Sequence, residues 1–168
     1  MQEGSSEAAV QALMRASRAF VGLTARALAA VEGEVTLPQF RTLVVLAMRG
    51  PQRSVDIADE LQVNPSTGTR MLDRLVRKGL VRRTRSPEDR RVVRIRLTQA
   101  GRNIVEQVMA RRRAELERIV AATADLWRTA VTEALTAFAE AAGELDEHDW
   151  WLGWTTHGDA GEVGVTLA

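Results

Sequence analysis

Residues 61–97 read LQVNPSTGTRMLDRLVRKGLVRRTRSPEDRRVVRIRL, and this stretch decides the fold. Asn64 is a helix-capping residue type, Pro65 suits the first helical position and Gly79 follows the last turn. The helix predicted between them, Pro65 to Lys78, presents Met71, Leu72, Leu75 and Val76 on one face. Two short alternating runs follow, Leu80 to Arg85 and Val92 to Leu97, joined by the charged tip Ser86 to Arg91. In the second run Val93, Ile95 and Leu97 share one face, and Arg94 and Arg96 the other. A helix entered by small residues, a stop, and an arginine-tipped hairpin is the order that a groove-reading helix with a wing requires.

Outward from this stretch the chain reads as helix. Leu13, Phe20, Leu23, Ala27 and Leu28 fall at helical spacing in a helix expected from Ser6 to about Glu32, closed by Gly33. Thr36 is the expected cap of a second helix with Pro38 in its first turn. Its apolar face is Leu37, Phe40, Leu43, Val44 and Ala47, and Gly50-Pro51 stops it. Ser54 is the expected cap of a short third helix, Val55 to Gln62, carrying Ile57, Ala58 and Leu61 inward. That helix, a tight turn at Val63-Asn64 and the helix from Pro65 compose a helix-turn-helix. After the hairpin, Thr98 caps a long helix to about Ala122, and another runs from about Leu126 to Glu144 through Val131, Ala134, Leu135, Phe138, Ala142 and Leu145.

The fold class expected is mostly α with a small β-hairpin wing. Residues 36–98 form a winged helix-turn-helix DNA-binding domain, and residues 6–35 and 99–168 a helical dimerisation region. The long flanking helices are amphipathic and have no local partner. A second copy of the chain supplies one, which predicts a homodimer.

Charge divides the same way. Between Arg41 and Arg102 there are 15 basic and 6 acidic residues; between Ile119 and Ala168 there are 9 acidic and a single basic residue, Arg128. The overall net charge of +1 conceals a basic module and an acidic one, which fits a polyanion partner for the first, here double-stranded DNA. All of the basic residues but Lys78 are arginine, the side chain suited to bidentate contact with guanine or phosphate.

Ser66, Thr67, Thr69 and Arg70 occupy the first turns of the predicted reading helix. Small hydroxyl residues permit close approach to base edges, and Arg70 has the reach for a bidentate guanine contact. The alternative for Ser66 and Thr67 is support of the helix start alone. Arg74 and Arg77 follow at i+4 and i+7 from Arg70 and are expected to meet phosphate. Arg90 and Arg91 tip the wing.

The segments LPQFRTLVVLA, SVDIADELQV, STGTRMLDRLVRKGLVRR and SPEDRRVVRIRLTQAG, in this order between long helices, resemble the MarR family (multiple antibiotic resistance regulators). The resemblance covers about Leu37 to Val105. It implies a dimeric winged helix-turn-helix transcription regulator, most often a repressor, that releases DNA on binding a small phenolic or anionic molecule. It also implies that Arg91 reaches the minor groove, where narrow A·T tracts concentrate negative potential, and that Asp89 braces the wing. Asp89 is equally a residue that favours turns. Gly68 departs from the pattern, which places a branched apolar residue there. An effector pocket would lie where the dimer helices meet the winged domain, with Arg18, Phe20, Phe40 and Val44 as its expected lining. Core packing plus a surface arginine is the other reading of those four.

Trp150, Trp151 and Trp154 crowd five residues, and either plug the dimer seam or cover an effector pocket. His148 and His157 match no strong metal-binding spacing, so no metal and no cofactor are expected. Zero Cys removes disulfides and thiol switching. There is no phosphate-binding glycine loop, GxSxG or HExxH, so an enzyme is not expected. No apolar run reaches the length of a membrane span and MQEGSSEAAV does not read as a secretory signal, which makes a cytoplasmic protein the expectation. The rival function is a ligand-sequestering or protein-interaction module that keeps the winged-helix fold without reading an operator.

Overall fold

The computed structural model describes residues 2–31, 35–85 and 89–145. Gly33, Ser86, Pro87 and Glu88 fall outside the described residues, as does the segment 146–168 with its histidines and three tryptophans. The described order is α1 (Gln2–Ala29), α2 (Leu37–Arg49), α3 (Ser54–Glu60), α4 (Pro65–Arg77), β1 (Val81–Arg85), β2 (Val93–Leu97), α5 (Gln99–Ala122) and α6 (Thr129–Ala141).

The core lies under the winged domain. Phe40, Leu43, Leu46 and Ala47 of α2 meet Ile57 of α3, Leu72 and Leu75 of α4, Val81 and Ile95 of the hairpin, and Ile104, Val105 and Val108 of α5. The two strands pair antiparallel in the register Val81↔Leu97, Arg83↔Ile95, Arg85↔Val93. Ile95 and Leu97 are buried as the alternation requires, whereas Val93 is exposed because the wing outruns the core at that end. Gln52 adds a bridge that periodicity could not show: Ile95 N donates to Gln52 O at 2.7 Å and Gln52 N to Ile95 O at 3.2 Å.

Two caps stand where their residues suggest. Thr36 Oγ1 accepts from Gln39 N, and the Gln39 side chain accepts from Thr36 N, closing a reciprocal box. Thr98 Oγ1 accepts from Gly101 N at 3.1 Å while donating to Gly79 O at 2.6 Å, which fixes α5 to the end of α4.

Several boundaries differ from the sequence expectation, three of them with a visible cause. Helix α1 ends at Ala29 rather than near Glu32, because the Arg111 guanidinium of α5 donates to Ala30 O at 2.6 Å and takes a terminal carbonyl. Helix α3 is capped by Arg53 and ends at Glu60. At its start Asp56 Oδ2 accepts from Arg53 N at 3.3 Å and binds the Arg53 guanidinium through both oxygens. That side-chain bond holds the Asp56 carboxyl below its ordinary value. The third difference is a 3-10 turn, Ala124–Leu126, which breaks the C-terminal helices and delays α6 to Thr129; Trp127 Nε1 donates to Thr123 Oγ1 across it at 2.8 Å.

Gln62, two residues past the end of α3, has φ 53°, the left-handed region that a side chain enters at a cost of roughly 1–2 kcal/mol. Its side chain is exposed. Gln62→Gly is therefore expected to raise stability by about 0.5–1 kcal/mol, less than the full strain because glycine also loosens the unfolded chain. A urea-denaturation midpoint that falls in the variant would contradict this.

Candidate nucleic-acid interface

Helix α4 projects from the domain beside the hairpin, and its two faces have opposite character. Leu72 and Leu75 are fully buried, while Ser66, Thr67, Thr69, Arg70, Arg74 and Arg77 are exposed. The start of the helix is fixed by Asn64, whose Oδ1 accepts from Thr67 N and from Ser66 Oγ, both at 2.9 Å. Ser66 thus supports the helix start, and donation leaves its oxygen lone pairs available as acceptors. Arg70 Nε donates to Ser66 O at 3.3 Å, which steadies the stem of the side chain.

The wing carries a second exposed group of arginines. Arg82 and Arg85 on β1, and Arg90 and Arg91 at the tip, are all exposed. Asp89 Oδ1 accepts from Arg91 N at 2.9 Å, and Asp89 O accepts from Val92 N at 2.9 Å. These are the local contacts of a turn that aspartate favours, and among the described residues no ion pair joins Asp89 to the Arg91 guanidinium.

The hairpin and the helix are tied by Asp73 and Arg83, with Nη2 to Oδ1 at 2.6 Å. This link was missed in the sequence. The alternation that buries Val81 could have placed Arg83 beside α4, but nothing local names Asp73 as its partner. Arg82 and Arg85 were also overlooked, although their register beside Val81 is a usable signal. Arg94 turns the other way, donating to Pro51 O at 3.2 Å.

Among the described residues, Arg70, Arg74, Arg77, Arg82, Arg85, Arg90 and Arg91 take part in no ion pair. Two elements thus present exposed guanidinium groups that pair with no carboxylate among the described residues. Such a surface attracts a polyanion from a distance and can hold it by bidentate hydrogen bonds.

The residues expected to line an effector pocket divide between core and surface. Phe40 is 3% exposed and belongs to the core, and Val44 packs partly buried against that core. Arg18 and Phe20 are exposed on α1. An open groove of about 440 Å³ lies instead along α5, lined among others by Met109, Arg112, Leu116 and Val120. Arg112 Nε is buried there without a hydrogen-bond partner among the described residues.

Comparison with known proteins places this architecture. The MarR family model matches residues 35–93, from the loop before α2 to the start of β2. The HTH-type transcriptional repressor MdtR of Bacillus subtilis (strain 168) is 39% identical over 84 residues, which is 50% of this chain and 54% of MdtR. The chain thus spans about half the length of the first curated relatives it matches. The crystal structure of RV1404 from Mycobacterium tuberculosis superposes with a TM-score of 0.78 at 43% identity, covering 85% of this chain and 97% of that one. A MarR family protein from Bacillus stearothermophilus superposes with a TM-score of 0.76 at 25% identity, over 86% of this chain and 99% of that one. With the family model over the helix-turn-helix and most of the hairpin, and solved structures matched over 85% and 86% of the chain, the chain belongs to the MarR family.

Proposed function

We propose that this protein is a homodimeric, sequence-specific regulator of transcription that represses by occupying double-stranded DNA. The observation that carries the reading is the exposed arginine surface shared by α4 and the wing, which takes part in no ion pair among the described residues. Helix α4 is the element of a size to enter a major groove, and the wing tip then stands over the adjoining minor groove. Arg70, Ser66 and Thr69 take the base edges, Arg74 and Arg77 the phosphates, and Arg91 the minor groove. Repression follows the analogy with MdtR, whose name describes a repressor.

The direct test is fluorescence anisotropy with fragments from upstream of the protein's own gene, titrated at several salt concentrations. A preferred fragment is expected, with affinity that falls steeply as salt rises because bound phosphates release counterions. Equal binding to every duplex would leave the sequestering or protein-interaction module as the reading.

Two substitutions separate the contact types. Arg70→Ala is expected to cost roughly 1–3 kcal/mol on the preferred fragment and to relax one base position. Arg74→Ala is expected to weaken all sequences alike and to reduce the salt slope by about 1. A footprint and a selection experiment on both variants check this; an Arg70→Ala protein with the parent's base preference would remove α4 from the reading role.

A further inference from the structure

Gly68 stands in α4 between the groove-facing residues, yet it is buried. An ideal Cβ built there lies 2.9 Å from Ala58 Cβ, closer than side chains approach one another, and 3.9 Å from Val63 Cγ2. Ala58 is itself fully buried in α3, and its carbonyl accepts from Val63 N at 3.0 Å, so it is held from both sides. Helices α3 and α4 therefore meet at a contact that only hydrogen at position 68 permits.

The helical turn gives that contact a direction. Successive residues are about 100° apart around the axis, so Ser66 and Arg70 each stand about 160° from Gly68. The two residues best placed for base edges thus lie opposite the point where α4 rests on α3. Any side chain at 68 pushes the helix along the line towards the DNA. Relief to ordinary van der Waals contact, 3.4 Å, requires a shift of about 0.5 Å. Recognition geometry must hold within about that distance to keep its hydrogen bonds. Phosphate contacts from long exposed arginines tolerate such a shift, because a flexible side chain re-aims.

We infer that Gly68 is a specificity-determining position that touches no base: by letting α4 seat directly on Ala58, it sets the depth at which Ser66 and Arg70 read the groove. The inference rests on the DNA-reading role of α4 proposed above, and it explains why the chain tolerates a residue that disfavours helix at the start of its reading element.

The test uses the full-length protein and two duplexes of equal length, the fragment preferred by the parent and its scrambled version. Gly68→Ala is expected to bind the preferred duplex about tenfold more weakly and the scrambled duplex unchanged. A merely structural defect would lower both. The swap Ala58→Gly/Gly68→Ala moves the methyl group to the other helix and restores the spacing; it is expected to recover the parent's affinity within about twofold. If Gly68→Ala does not fold, the swap alone still decides. Parental affinity in the single variant, or a folded swap that remains tenfold weak, overturns the inference. Absence of any preferred duplex for the parent is a different result, and removes the DNA-reading proposal itself.

Discussion

Gly101→Ala is expected to destabilise the fold by roughly 3 kcal/mol or more, a large part of the 5–15 kcal/mol that holds a typical domain together. An added Cβ would collide with the Leu80 carbonyl oxygen and lie 3.1 Å from Leu97 Cδ2. The obstacle is backbone that cannot retreat. Leu80 O accepts from Thr98 N at 3.1 Å, and Leu80 N donates to Leu75 O at 3.0 Å. Thr98 also fastens to Gly79 O and to Gly101 N itself. Moving any of these strands breaks hydrogen bonds worth about 1 kcal/mol each and overpacks the junction of α4, β1 and α5, at a further 1–3 kcal/mol. The better helix propensity of alanine, about 1 kcal/mol, offsets only part of it. Urea denaturation of parent and variant measures the difference; a loss below 1 kcal/mol would mean that α5 can lift from the wing without cost.

Much of this architecture is written locally. Thr36, Asn64 and Thr98 are cap residues followed by apolar positions at helical spacing, and each starts a helix where that pattern begins. Gly79, at φ +69°, ends α4 because a glycine there admits the left-handed turn into β1. What the sequence hid are decisions made at a distance. The end of α1 depends on Arg111, 81 residues later. The Gln52 bridge is a single residue with no alternation to announce it. Gly68 departs from the family pattern with nothing local to explain it, and the neighbour that does is Ala58 on the preceding helix. Of the four residues expected at an effector pocket, Phe40 carries the lesson most clearly. Its spacing on α2 is the same for a pocket wall and for a core residue, and only the arrival of the other helices distinguishes them.

Breaking the proposed dimer is the other change with a large expected effect. Helix α6 buries none of its residues, yet it carries Val131, Leu135 and Phe138, the last 52% exposed. Met14 and Val21 on α1 and Leu126 before α6 add to the uncovered apolar surface. A helix of 13 residues is marginal in water without packing, and apolar exposure on this scale marks an interface. In a two-fold dimer every substitution is made twice. Leu135→Asp/Phe138→Asp places four carboxylates per dimer where apolar contacts were. At even about 1 kcal/mol for each charge the dissociation constant rises by about three orders of magnitude. Light scattering at micromolar concentration is then expected to give twice the mass for the parent and a single chain for the variant. In the proposed dimer the DNA consequence follows from linkage of two reading heads. One bound head holds the other at high effective concentration, which strengthens binding by about 10²–10⁴ without new contacts, and the monomer forfeits it. Scrambled DNA should lose less, because the arginines of α4 and the wing are untouched. A variant that stays dimeric would place the partner surface elsewhere than on α6, and a monomer that binds the preferred fragment as tightly as the parent would remove the linkage of two reading heads.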